Sequence, residues 1–96
     1  MLQKRKKYYN WLKKDLLDFA KNKSDLKIFI FGSSILKEHF GDIDIAFQGK
    51  IKNQDLYALK EHFEESTFPY FIDLVNLNQA GETFQNHVLA NKILWI

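Results

Sequence analysis

Two periods of apolar residues run along the chain, and the switches between them mark out seven segments. In YYNWLKKDLLDFAKN, residues 8–22, Leu12, Leu16, Phe19 and Ala20 recur at the spacing of one helical face. LKIFIFG, residues 26–32, is a short β-favouring run stopped by glycine, the pattern of a buried strand. SILKEHF, residues 34–40, has room for about two helical turns, and Gly41 suits its end. DIDIAFQG, residues 42–49, alternates and reads as a second strand. NQDLYALKEHFEES, residues 53–66, starts at Asn53 as an N-cap and sets Leu56, Leu59 and Phe63 on one side; Pro69 prevents its continuation. YFIDLVNL, residues 70–77, reads as a third strand, and residues 79–93 as a closing helix. The order αβαβαβα predicts a layered arrangement of helices on a sheet, of the α/β or α+β kind, in one domain over residues 1–96. Pattern alone does not give the strand directions. The apolar end ILWI is expected in the core or at a self-association surface.

Composition narrows the chemistry. Nine phenylalanines let a chain of this size bury a large apolar area per side chain. With no cysteine, disulfides, thiol catalysis and Cys-ligated zinc are excluded. The basic start MLQKRKKYYNWLKK is followed by no long apolar run, so neither a signal peptide nor a membrane span is expected, and the default location is cytoplasmic. The net charge of +2 hides an asymmetry: residues 1–37 carry ten Lys/Arg and three Asp, residues 38–96 four Lys and nine acids. That division fits an acidic centre beside a basic rim, and fits ordinary surface charge equally.

Asp42 and Asp44 set the chemical question. On a strand they project from one face, roughly 6.6 Å apart, where two unit charges repel by about 2.5 kcal/mol at an effective dielectric of 20. Asp73 lies inside the apolar YFIDLV, on the side of its strand shared with Phe71 and Val75. If the third strand neighbours the second, all three carboxylates can meet and offer an all-oxygen site to a hard cation, Mg²⁺ above all. Earlier in the chain, a strand, Gly32-Ser33 and a helix start form a tight turn whose N–H groups favour an anion. Neither Gly-Ser nor D-x-D means much alone; their order along the chain carries the signal.

That order, FIFGS, eight residues from Ser34 to Gly41, DID, then YFIDLV, resembles the nucleotidyltransferase superfamily that includes DNA polymerase β. The small size resembles its minimal nucleotidyltransferases, antitoxins found beside HEPN-domain toxins. ETFQNHVLANKILWI is similar to the family's closing helix, so the resemblance covers nearly the whole chain. It implies a three-stranded mixed sheet flanked by helices. It also implies that Gly32 and Ser33 hold a triphosphate, that Asp42 and Asp44 bind two Mg²⁺ ions, and that Asp73 completes the second metal site and helps activate a hydroxyl. The implied reaction moves a nucleoside monophosphate, AMP from ATP first among them, to a hydroxyl on a partner protein or RNA and releases pyrophosphate. The implied partner is a HEPN-domain protein. Many minimal members have Arg after Gly-Ser, where this chain has Ser34; Lys37, a turn later, would be the substitute for that contact.

Other readings remain beside this one. The fold can serve as a binding module that occupies its partner without catalysis, and the same carboxylates suit a metal-dependent phosphohydrolase or nuclease. His39, His62 and His87 form no close pair and read as helix residues rather than ligands. Tyr8, Tyr9 and Trp11 among Lys4, Arg5, Lys6 and Lys7 fit an amphipathic first helix and, less well, RNA stacking. Phe63, Phe68 and Phe71 are expected in the core.

Overall fold

The computed structural model describes residues 3–23, 25–32, 42–90 and 93–96. The helix expected over residues 34–40 lies outside them, as do Ser33, Ser34, Lys37, His39 and Gly41. The described elements are α1 (Gln3–Ala20), β1 (Leu26–Phe31), β2 (Asp42–Gly49), α2 (Asn53–Glu65) and β3 (Phe71–Asn76). A 3₁₀ turn (Leu77–Gln79), α3 (Glu82–Ala90) and a two-residue strand β4 (Leu94–Trp95) follow. The fold is α+β, with helices against a mixed sheet, as expected.

The sheet runs β3-β2-β1-β4. β1 is antiparallel to β2 and to β4, whereas β2 and β3 are parallel. A parallel pair needs a crossover, and α2 supplies it. Alternation then gives the sheet two unlike faces. Ile28, Ile30, Ile43, Ile45, Phe47 and Ile72 point to one, where Leu12 and Leu16 of α1 and Leu56, Leu59 and Phe63 of α2 bury them in the main core. These helix positions are the ones their periodicity selects. Phe29 and Ala46 point to the other face and pack with Leu77 and Val88 in a smaller core.

Several boundaries differ from the sequence pattern for local reasons. Lys52, extended at φ −97° and ψ 144°, precedes α2 without a side-chain cap bond. Asn53 is instead the first helical residue, and its amide is taken up elsewhere: Asn76 Nδ2 donates to its Oδ1 (3.3 Å) and its Nδ2 donates to Gln79 Oε1 (3.2 Å). The expected closing helix divides into the 3₁₀ turn and α3. Asn76 Oδ1 accepts from the Asn78 N–H (3.2 Å) and so starts the 3₁₀ turn one residue after β3. The ILWI end forms β4, and the exposed Trp95 ring sits edge-on to Phe29, with centroids 5.0 Å apart.

Phe71 is the clear correction. It is 79% exposed rather than in the core. Its odd-numbered face is the one that Asp73 shares, and its cross-strand neighbour is Asp42, so its ring stands over the open end of the sheet. Phe63 and Phe68 are buried as expected. In α1, Tyr9 is buried, Tyr8 lies edge-on to Phe68 and Tyr70, and Trp11 to Phe68. These rings form a satellite of the main core. Trp11 Nε1 and His62 Nε2 each lie 3.1 Å from Asp15 Oδ2, which ties α1 to α2.

Candidate active site

Three strand ends build the site. β2 and β3 run parallel in a register that makes Asp44 and Asp73 direct neighbours and pairs Asp42 with Phe71. Residues side by side on adjacent strands face the same way, with backbones roughly 4.8 Å apart. The carboxylates of Asp44 and Asp73 therefore project together, with Asp42 one pleat away on the same face. Asp42 and Asp73 are exposed and Asp44 is half-buried. The far half of this face is closed by the small core and α3, while at the acidic half Asp42, Phe71 and Asp73 are exposed.

Burial, and then the negative charges of Asp73 and Asp42, push the Asp44 carboxyl above its ordinary value. Among the described residues no basic side chain forms an ion pair with any of the three. Negative charge is thus concentrated around Asp44, a condition that a bound cation relieves. Among the described residues no three acidic or imidazole groups close into a ready-made metal cage. Mg²⁺ does not need one: it is commonly held by one or two carboxylates, with water and phosphate oxygens completing its shell. The donor set fits that ion.

Gly32 ends β1 beside Asp44, whose β1 neighbour is Phe31. Its φ is +83°, and a Cβ built on it would overlap Asp44 Oδ2. Glycine is therefore required twice, for the backbone turn and for the space beside the carboxylate. Ser33, the other phosphate-binding candidate, lies outside the described residues.

Along the outer edge of β3 runs a hollow of about 420 Å³ with Asp73, Tyr57, Lys60, Asn53, Asn76 and Gln79 in its wall. Its amide network was not anticipated from sequence. Asn76 and Asn78 carry it further, since Asn78 Oδ1 accepts from the Gly49 N–H (3.1 Å) and its Nδ2 donates to the Gly49 carbonyl. Asn53, Asn76, Asn78 and Gln79 were the available signal, but asparagine is common in turns.

The family model described as polymerase beta, nucleotidyltransferase matches residues 14–96. The chain belongs to this nucleotidyltransferase family. The match starts within α1 and takes in every strand and the three aspartates. No curated protein matches the chain. Among the described residues of this nucleotidyltransferase domain, no helix is long and apolar enough to cross a membrane.

Proposed function

We propose that the protein is a Mg²⁺-dependent nucleotidyltransferase that moves a nucleoside monophosphate, AMP from ATP in the first instance, to a hydroxyl group. One observation carries this reading: Asp44 and Asp73 stand side by side, with Asp42 on the same face and the side-chain-free Gly32 against Asp44.

Gly32 and Ser33 receive the triphosphate, the first by leaving space beside Asp44. Asp42 and Asp44 would hold two Mg²⁺ ions, with Asp73 completing the second site. Mg²⁺ bound there would neutralise phosphate charge and stabilise both the attacking and the leaving oxygen. Asp73 orients the acceptor hydroxyl, which reaches it from the hollow along β3, and takes its proton. The acceptor oxygen forms a bond to the α-phosphorus as the bond to the bridging oxygen breaks, and pyrophosphate leaves. Positioning and charge neutralisation supply most of the rate in such transfers.

The acceptor proposed is a hydroxyl on a partner protein, with a HEPN-domain toxin as the partner and this chain as its antitoxin. The resemblance in the Gly-Ser, D-x-D and Asp73 segments supports this. The test incubates the protein with labelled ATP, Mg²⁺ and the candidate partner, and compares it with Asp42→Asn. Label on the partner only with the unsubstituted protein supports transfer; equal label with both overturns it. Neutralisation of the partner by an Asp42→Asn/Asp44→Asn double variant would assign the antitoxin effect to binding alone.

A further inference from the structure

Among the described residues Phe71 is the most exposed large apolar side chain, and it stands on the sheet face that carries the three carboxylates. Its backbone lies beside that of Asp42, roughly 4.8 Å away, and its ring shares the face of Asp73, roughly 6.6 Å along the strand. The aromatic ring on the other side of the site, Phe31, is half-buried and already packed edge-on to Phe29 and Phe84. Phe71 makes no such ring contact among the described residues, so its π-face is available. Around the edge of β3, on the α2 side of the sheet, opens a hollow of about 360 Å³, walled by Phe71, Tyr70, Pro69, Lys60 and Glu64. Lys60 supplies hydrogen-bond donors there and Glu64 supplies acceptors.

We propose that Phe71 is a stacking platform for a nucleobase, with the base edge directed into the hollow at Lys60 and Glu64. The inference rests on the nucleotidyltransferase reading, because Mg²⁺ held by the carboxylates would fix the phosphates and the base lies one ribose beyond them. A phenyl ring at the mouth of an acidic site has little to offer a triphosphate. It offers a flat apolar surface to a base, and stacking of this kind is tolerant of base identity. The base can belong to the incoming nucleotide or to a nucleotide acceptor, and the two sources are separable.

The experiment measures thermal stabilisation and equilibrium affinity for Mg²⁺ with ATP, with GTP, with inorganic tripolyphosphate and with a short single-stranded RNA. The unsubstituted protein is compared with Phe71→Ala and Phe71→Trp. The exposed position means that both variants should melt within about 4 °C of the parent without ligand. Phe71→Ala should bind ATP and GTP about tenfold more weakly and tripolyphosphate unchanged. Phe71→Trp should keep nucleotide affinity, and its added fluorescence should be quenched by ATP and not by tripolyphosphate. Loss confined to the RNA assigns the platform to the acceptor. Equal ATP, GTP and RNA affinity in Phe71→Ala and the parent overturns the proposal while the site reading stands. No response of the parent to any triphosphate, inorganic or nucleoside, overturns the site reading and the platform together.

Discussion

Asp44 shows the conflict between stability and chemistry most directly. Its carboxyl sits half-buried beside two others, so the folded protein prefers it protonated more than the unfolded chain does. The sign follows from linkage. A folded-state value above the ordinary 3.8 means that the associated stability is present below that pH and is lost as pH rises through the folded value. Asp44→Asn should therefore stabilise the metal-free protein at neutral pH, by roughly 0.2–1 kcal/mol, the range for adjacent side chains on a sheet. Melting curves from pH 3.5 to 7.5 check this: the advantage of the variant should be greatest at pH 7 and vanish at the acid end. The variant should also lose the stabilisation that Mg²⁺ and ATP confer on the parent. A variant less stable than the parent at pH 7 would mean that Asp44 is already compensated. Gly32 makes the complementary case. Gly32→Ala forces a side chain into the left-handed region and against Asp44 Oδ2. It should cost about 1–3 kcal/mol and abolish nucleotide binding, read by chemical denaturation and by thermal shift.

The elements that sequence pattern anticipated are those whose burial is set by their own period. Leu12 and Leu16 in α1, Leu56, Leu59 and Phe63 in α2, and Ile43, Ile45 and Phe47 in β2 all point where helical or alternating spacing sends them. The pairing of Asp44 with Asp73 was not legible, because it depends on β3 running parallel to β2, which only nonlocal hydrogen bonds decide. The same limit explains Phe71. Alternation put it beside Asp73, but not whether that face is covered, and among the described residues no element buries it. β4, with two residues, is too short to carry a period at all. Asn78 shows how a side chain finishes what an element leaves open. Its amide bonds the N–H and the carbonyl of Gly49 as a neighbouring strand would, and so holds the end of β2 to the turn after β3. Asn78→Ala should cost about 1 kcal/mol, the net value of hydrogen bonds at an accessible position. Urea denaturation should show a lower midpoint with an unchanged slope. Amide exchange should be faster at Gly49 than at the centre of β2.

Because a hydrophobic core lies on each face of the sheet, the candidate site and the two cores should unfold together. Phe29 tests this, since it is fully buried in the small core, on the face that carries the carboxylates but at its far half. Truncating a buried phenylalanine typically costs about 3–5 kcal/mol. For a domain whose whole stability is about 5–15 kcal/mol, that is a large share. Phe29→Ala should accordingly melt more than about 10 °C below the parent. Its strand partners are Ala46 and Trp95 rather than any of the three aspartates, so the residual folded protein should still bind Mg²⁺ and nucleotide. Ligand at about a hundred times its dissociation constant then contributes about 2.7 kcal/mol to the folded state. Calorimetry of Phe29→Ala should show a single transition that recovers more than half of its deficit on addition of Mg²⁺ and ATP. In Phe29→Ala/Asp44→Asn the same addition should move it little. A ligand effect that survives the second substitution would place the binding site away from the carboxylates. Two separate transitions in the single variant would show that α3 and the small core unfold without the rest of the sheet, leaving the acidic face exposed at both ends.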